Sequence, residues 1–474
     1  MKTLPQWPND ADRTLRVHIN RTLNLRTIKA IGYDMDYTLV GYQAAQWEER
    51  AYAYLKANLV QAGWDTPEIR ALAFDAERVI RGLIVDQELG NLLKVNRFAY
   101  VKQARHGLEP IGFDALRAAY GTSIDLTTDR FVQLDTLFSL SEGCIFSQLV
   151  DLFDRQGLPG VYDYRGIWRA VRKALDEAHV EGELKRDVLN NPDQYIVRDP
   201  LAARTLIEQK KAGKTLMLIT NSGWAFSRQV MALAYDDFLP EGMTWRDLFD
   251  VVIVSSRKPG FFTGPHRLFQ VMDDDGEHLK PFSGALEPGA VYLGGDAAQL
   301  EGILGLSGDQ ILYVGDHIYG DVIVSKNLLH WRTCLILAEM DDEVTYLENI
   351  ATLQARVDGL MEIKQRLEID YDRARVADLT TPHSTRGLQA ELREQLVEID
   401  RELGEHLRSM AAHSNPYWGP LMRAGADESL LAQQVERYAC VYAARISGLG
   451  MATPYHYFRS KRSMLPHDLS APVG

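Results

Sequence analysis

Five short apolar runs limit the fold more than any other feature of this chain: Ile28–Tyr33, Thr215–Ile219, Val251–Val254, Ile311–Val314 and Cys334–Ala338. Each is bounded by turn or charge signals, and none alternates with polar residues. Runs of this kind suit a parallel sheet covered on both faces. Segments of helical spacing, Ala225–Ala234 and Gly320–Leu329, lie between them. The alternation predicts an α/β fold built on a doubly wound parallel sheet. About 180 residues separate the first run from the second, where a strand-to-helix connection normally takes roughly 2–6. A domain must therefore be inserted there. Glu48–Ala62, Ile145–Asp154 and Gly166–Ala178 carry helical apolar spacing, so the insertion is expected to be a mostly helical cap. It would span 48–200, between the start of the core (1–47) and its remainder (201–340). An insertion at that strand end overhangs the place where open α/β sheets bind ligands, and it can close over a substrate.

Beyond residue 340 the chain carries two apolar stripes. One runs Tyr346, Ile350, Leu353, Val357, Leu360, Leu367, and the other Leu388, Leu392, Leu396, Ile399, Leu403. Pro382 and Gly387 punctuate the gap. Residues 341–474 are read as a helical hairpin and C-terminal extension packed on the core, with an oligomer contact as the alternative.

Charge excludes one class of function. The 474 residues hold 65 acids against 52 Lys and Arg, a net charge of −13, which opposes a basic nucleic-acid platform. About half the excess lies in residues 341–410, with 16 acids against 9 bases. Cys144, Cys334 and Cys440 are far apart and odd in number, a poor disulfide framework that fits a reducing compartment. The first twenty residues hold no apolar stretch of signal-peptide type, and no apolar run approaches the ~20 residues of a membrane span. A cytoplasmic protein is expected.

The residues that follow the apolar runs carry the chemistry. Asp34 and Asp36 follow the first run, within Tyr33-Asp34-Met35-Asp36-Tyr37-Thr38-Leu39. Two like charges brought together at a buried strand end are costly unless a cation or a phosphoryl reaction uses them. Thr220-Asn221-Ser222 follows the second run, a hydroxyl beside the backbone N–H groups of a helix start. Ser255-Ser256-Arg257-Lys258-Pro259 follows the third, where a Lys can act as a point charge on a phosphoryl oxygen. Gly315-Asp316-His317-Ile318-Tyr319-Gly320-Asp321 follows the fourth, with two more carboxylates and a tight glycine turn.

These four motifs, in this order, resemble the haloacid dehalogenase-like phosphohydrolases. Longer strings resemble their cytosolic purine 5′-nucleotidase branch, the type II enzymes that prefer IMP and GMP. They include Arg81-Gly82-Leu83, Gly90-Asn91-Leu92-Leu93-Lys94-Val95, Asp135-Thr136-Leu137-Phe138-Ser139-Leu140-Ser141-Glu142 and Gln434-Val435-Glu436-Arg437-Tyr438-Ala439-Cys440-Val441-Tyr442-Ala443-Ala444. The resemblance runs from about residue 15 to about 467. It implies a Rossmann-like core in which Asp34 is the nucleophile, Asp36 the acid and base, and Thr220 and Lys258 the phosphoryl-binding groups. It implies Mg²⁺ held by Asp34, Asp36 (through its carbonyl), Asp316 and Asp321.

On the cap, the resemblance implies that Phe138 stacks on a purine while Arg172, Asp176 and His179 read it from one helix face. Lys185, Asn221 and Ser222 would lie near the nucleotide. Hypoxanthine and guanine both offer O6 and N1–H, which adenine lacks, so such a face discriminates. Ser139 and Val180 depart from the family pattern, which has Asn and Tyr there. A purine-nucleotide effector site is implied at Asp135, Tyr319, Lys326, Gln434 and Tyr438, with Asp135 replacing an asparagine. A homo-oligomer, a tetramer in the family, and phosphotransfer to nucleosides are implied too. The alternatives are a phosphatase for another small ester and a non-catalytic nucleotide sensor, the latter opposed by the intact acidic set.

Overall fold

The computed structural model describes residues 4–8, 15–180, 182–381 and 383–461, the side chains of 177–180 apart. Its centre is a run of seven parallel strands: β1 (Ala30–Tyr33), β2 (Thr215–Ile219), β3 (Val251–Val254), β4 (Val291–Gly294), β5 (Ile311–Gly315), β6 (Arg332–Ile336) and β7 (Val441–Ala443). Their order across the sheet is β7-β6-β5-β1-β2-β3-β4. Val17–Ile19 extends the β7 edge antiparallel, and Leu268–Val271 with Leu279–Pro281 extends the other. From β1 the chain winds one way through β2 to β4 and the other through β5 to β7. The ends of β1 and β5 are therefore a switch point, where such sheets open a crevice.

Both faces of the sheet are buried, which explains the missing polar alternation. Ile31, Tyr33, Leu218, Val252 and Val314 pack into one core, while Met217, Ile219, Ile253 and Tyr313 pack into another. Gly32 is required by crowding, because a Cβ there would lie 2.8 Å from the Tyr313 ring. The five anticipated runs form strands within about two residues of their expected bounds. β4 and β7 were not anticipated: each offers only three or four residues, too few for periodicity to separate strand from loop. The expected helix over Gly320–Leu329 divides into a π-helical turn, Ile318–Ile323, and a helix, Val324–Leu329.

Between β1 and β2 lie helices α1 (Ala44–Gln61), α2 (Leu140–Gln156), α3 (Tyr164–Val180) and α4 (Glu183–Asn190). They cover the three anticipated helical stretches. A five-stranded antiparallel sheet accompanies them, ordered Glu109–Pro110, Val101–His106, Asn91–Val95, Leu83–Asp86, Phe131–Leu134. The sequence reading, which expected mainly helix, missed this sheet because buried polar residues interrupt its pattern. Asp86 takes the guanidinium of Arg130 (2.7 Å) and the Tyr120 hydroxyl (2.6 Å). Lys94 Nζ donates to the carbonyls of Trp418 and Pro420, each at 2.6 Å.

Helix α5 (Trp224–Tyr235) packs beside the sheet after β2. After β6 the chain forms α6 (Met340–Thr380) and α7 (Arg386–Ala411), an antiparallel pair closed by Ile350, Val357, Leu360, Leu403 and Met410. Helix α8 (Leu430–Tyr438) then leads to β7. No helix among the described residues is long and apolar enough to cross a membrane.

Candidate active site

Four strand ends supply the site. Asp34 continues β1, and its N–H donates to the Val314 carbonyl of β5 at 2.9 Å. The chain then turns sharply, with Tyr37 at φ 52°. This places Asp36 where the Tyr42 hydroxyl donates to one carboxylate oxygen and the Ser222 hydroxyl to the other, both at 2.7 Å. At the end of β2, the buried Thr220 Oγ1 accepts from the Ser222 N–H at 3.0 Å. Asn221 braces the next loop: its Oδ1 accepts from the Lys258 N–H (2.6 Å) and the Ser256 hydroxyl (2.9 Å).

In that loop Ser255 and Arg257 adopt left-handed φ values of 47° and 60°, the kind of strain that collects at functional sites. The loop drives Lys258 inward. Its Nζ lies 2.7 Å from Asp34 Oδ1 and 2.7 Å from Asp321 Oδ1, and 3.0 Å from the Tyr313 hydroxyl. At the end of β5, one carboxylate oxygen each of Asp34, Asp316 and Asp321 lie within 4.8 Å of one another. Gly315 makes room for this, since a Cβ there would sit 2.4 Å from Asp321 Oδ2.

The electrostatics follow from burial. Burial pushes the Asp34 carboxyl up to about 7; Lys258 opposes this, while Asp321 and Asp36 reinforce it. Burial raises Asp316 as well, with Asp34 and Asp321 adding and Arg81 and Lys258 opposing. Burial alone would lower the Lys258 ammonium, but Asp321 and Asp34 outweigh it and hold Lys258 firmly charged. Three buried carboxylates against one ammonium leave uncompensated negative charge. Asp316 Oδ2 is buried without a hydrogen-bond partner among the described residues. An orphaned hard oxygen in an all-carboxylate set fits a divalent cation of the magnesium, manganese or calcium kind.

The site opens into a cavity of about 370 Å³. Asp34, Asp36, Asn221, Ser222, Lys258, Asp316 and Asp321 line one side; Trp47, Thr136, Phe138, Lys185, His317 and Gly320 complete it. The Phe138 ring meets Tyr37 and Trp47 with centroids 4.7 and 5.4 Å away. Lys185 Nζ reaches the Ser222 hydroxyl at 3.4 Å. Thus Phe138 and Lys185, from the insertion, share one cavity with Asp34 and Asp36.

Arg172 and Asp176 are not among the residues lining that cavity. The Arg172 guanidinium is engaged by the buried Glu142 at 2.8 Å, and Asp176 sits exposed 4.0 Å from it. The side chain of His179 lies outside the described residues. The five expected effector positions surround the Ile318–Ile323 turn and α8. Asp135 approaches His317 Nδ1 at 3.5 Å, and Lys326 Nζ reaches Cys440 Sγ at 3.5 Å. Gln434 exchanges amide hydrogen bonds with Gln133 at 2.8 and 3.0 Å. Tyr319 is half exposed, and the Tyr438 carbonyl accepts from Thr333 at 2.8 Å. Sequence reasoning missed Tyr42, Trp47 and Tyr313. Each reads as an ordinary core or helix residue until the fold brings it to the site.

The sheet and the residues at its strand ends fit a phosphoric monoester hydrolase, the class to which the family likeness assigns the chain. Residues 17–470 match the model of the 5′ nucleotidase family, and the chain belongs to that family. A rat (Rattus norvegicus) protein, 5′-nucleotidase domain-containing protein 2, is 28% identical over 472 residues, which cover 95% of this chain and 80% of that protein. Two solved structures also match. A haloacid dehalogenase-like family hydrolase from Xanthomonas campestris covers 65% of this chain and 82% of its own, at 12% identity and a TM-score of 0.26. A predicted phosphoglycolate phosphatase from Haemophilus somnus 129pt covers 65% and 85%, at 14% identity and a TM-score of 0.28.

Proposed function

We propose that this enzyme hydrolyses purine nucleoside 5′-monophosphates, IMP and GMP in preference, with Mg²⁺ as its cofactor. The observation that carries the proposal is the single cavity shared by Asp34, Asp36, Lys258 and the Phe138 ring. Asp34 attacks phosphorus, the ester P–O bond breaks, and an aspartyl-phosphate forms. Asp36 protonates the departing 5′-oxygen, then takes a proton from the water that hydrolyses the aspartyl-phosphate. Tyr42 and Ser222 fix the Asp36 carboxylate for both transfers. Lys258 and the Thr220 hydroxyl hold the phosphoryl oxygens and offset their charge. Asp34, Asp316, Asp321 and the Asp36 carbonyl would hold Mg²⁺, which supplies further charge stabilisation on the phosphoryl oxygens.

The insertion acts as a cap over this step. Phe138 offers a face for the purine, and Arg172, engaged by Glu142 four residues beyond Phe138, would turn its remaining donors to O6 and N7. A nucleoside in place of water would accept the phosphoryl group, giving phosphotransfer. One observation favours a broader second reading, a phosphatase of less selective base preference: Arg172 and Asp176 lie off the cavity. A phosphate-release screen over IMP, GMP, AMP and CMP, with Mg²⁺ and with chelator, separates the two. Equal rates on IMP and AMP refute base selection, and turnover that survives chelation refutes the metal assignment.

A further inference from the structure

The side chain of Arg81 is 1% exposed and belongs to the insertion, yet it reaches into the core. Its Nη1 donates to the main-chain carbonyl of Asp316 at 3.0 Å. Its Nε donates to Glu339 Oε1 at 2.8 Å, and its Nη2 completes a two-pronged pair with Glu339 Oε2. Glu339 immediately precedes α6, the first helix of the hairpin. Arg81 therefore joins three parts of the chain that are remote in sequence: the insertion, the end of β5 and the root of the hairpin.

The backbone is shaped for this reach. Gly82 sits at φ +87°, and a Cβ on it would lie 2.9 Å from Leu431 Cβ in α8. Its N–H donates to the Leu134 carbonyl, which ties the turn to the insertion's own sheet. A planar fork with fixed donor directions positions its partners in a way a flexible ammonium does not. Asp316 is the carboxylate whose Oδ2 is buried without a partner. Arg81 grips that same residue by its main chain and leaves the carboxylate free to point into the cation site.

We infer that Arg81 is a positioning residue for the divalent-cation site, orienting Asp316 through its main-chain carbonyl and anchored by Glu339 at the root of the hairpin. The inference rests on the phosphohydrolase reading for its meaning, and its deciding readout, cation binding, is independent of turnover. Mn²⁺, a spectroscopic stand-in for Mg²⁺, is titrated into the full chain and into two variants, with binding read by paramagnetic resonance and calorimetry. Arg81→Lys keeps the charge and loses the fork. The double variant Arg81→Gln/Glu339→Gln removes both charges together, so that neither is left buried alone.

Loss of a group that orients a metal ligand typically weakens metal affinity about 10–100-fold. We therefore expect the Mn²⁺ Kd to rise at least about tenfold in Arg81→Lys. The KM for IMP should stay within about twofold, and kcat should recover as Mg²⁺ is raised. A merely structural role would lower the thermal midpoint without producing that metal-dependent recovery. An Mn²⁺ Kd within about twofold of the parent in either folded variant overturns the assignment, and so does failure of both variants to fold. If the parent binds Mn²⁺ but releases phosphate from no nucleotide, the functional reading fails while this one stands.

Discussion

Replacing Lys258 by Met removes the one ammonium among the described residues that touches both Asp34 and Asp321, and keeps a side chain of similar length. The Nζ lies 2.7 Å from an oxygen of each carboxylate. At an effective dielectric near 20, each such attraction is worth about 6 kcal/mol before desolvation is subtracted. Desolvation removes most of that, and breaking a buried pair typically leaves a net loss of about 3–5 kcal/mol. The loss should depend on pH. Burial already pushes Asp34 up to about 7 against the pull of Lys258; without Lys258 it moves higher still. The variant's folded state then holds a proton that the unfolded chain has released, so its stability deficit shrinks as pH falls and grows as pH rises through 7. Urea unfolding in chelator at about pH 5.5 and 8.5 reads this directly. Turnover should suffer separately, because losing one preorganised charge at the phosphoryl group costs about 10²–10³ in kcat. Phosphate release from IMP in saturating Mg²⁺ measures it. A folded variant with kcat within tenfold of the parent, or a stability deficit independent of pH, would refute the assignment of Lys258.

Other substitutions probe different parts of the site. Asp34→Asn should abolish turnover while far-UV dichroism and the thermal midpoint stay near the parent's; residual turnover above about a thousandth would remove Asp34 as nucleophile. Gly315→Ala drives a methyl against Asp321, 2.4 Å from Oδ2, and should destabilise the protein by about 1–3 kcal/mol. An unchanged midpoint would show that Asp321 can move aside. Glu48 is fully buried, accepts from the Ser141 N–H at 2.7 Å, and is pushed by burial up to about 8. Its protonated form belongs to the folded state, so its contribution to stability is complete below the ordinary glutamate range and is lost as pH rises through 8. Glu48→Gln should flatten that fall between about pH 5 and 8, and equal slopes in parent and variant count against it. Asp176→Ala should raise KM for GMP far more than for AMP under the purine-selective reading; an unchanged ratio favours the broader phosphatase.

The division between what the sequence disclosed and what it hid follows from physics rather than from length of motif. Asp34, Asp36, Thr220, Lys258, Asp316 and Asp321 were legible because each follows a continuously apolar run, so a charged or hydroxyl residue there stands out against its neighbours. The strands carrying them were legible for the same reason. The insertion's antiparallel sheet was not, because Asp86, Asn91 and Lys94 are buried in it, and their partners, Tyr120, Arg130 and the Trp418 carbonyl, come from elsewhere in the chain. A buried charge whose partner is distant looks locally like a surface residue. Arg81 is the sharpest case: beside it the sequence shows only Gly82 and Leu83, while its three hydrogen bonds run 235 and 258 residues along the chain. Arg172 fails in the opposite direction. Its spacing with Asp176 described a helix face correctly, but spacing along one helix carries no information about what packs against it, and Glu142 on the neighbouring helix holds its guanidinium. One-dimensional pattern thus located the residues that gather at the strand ends, while the groups that hold them became visible only when chain segments hundreds of residues apart were brought into contact.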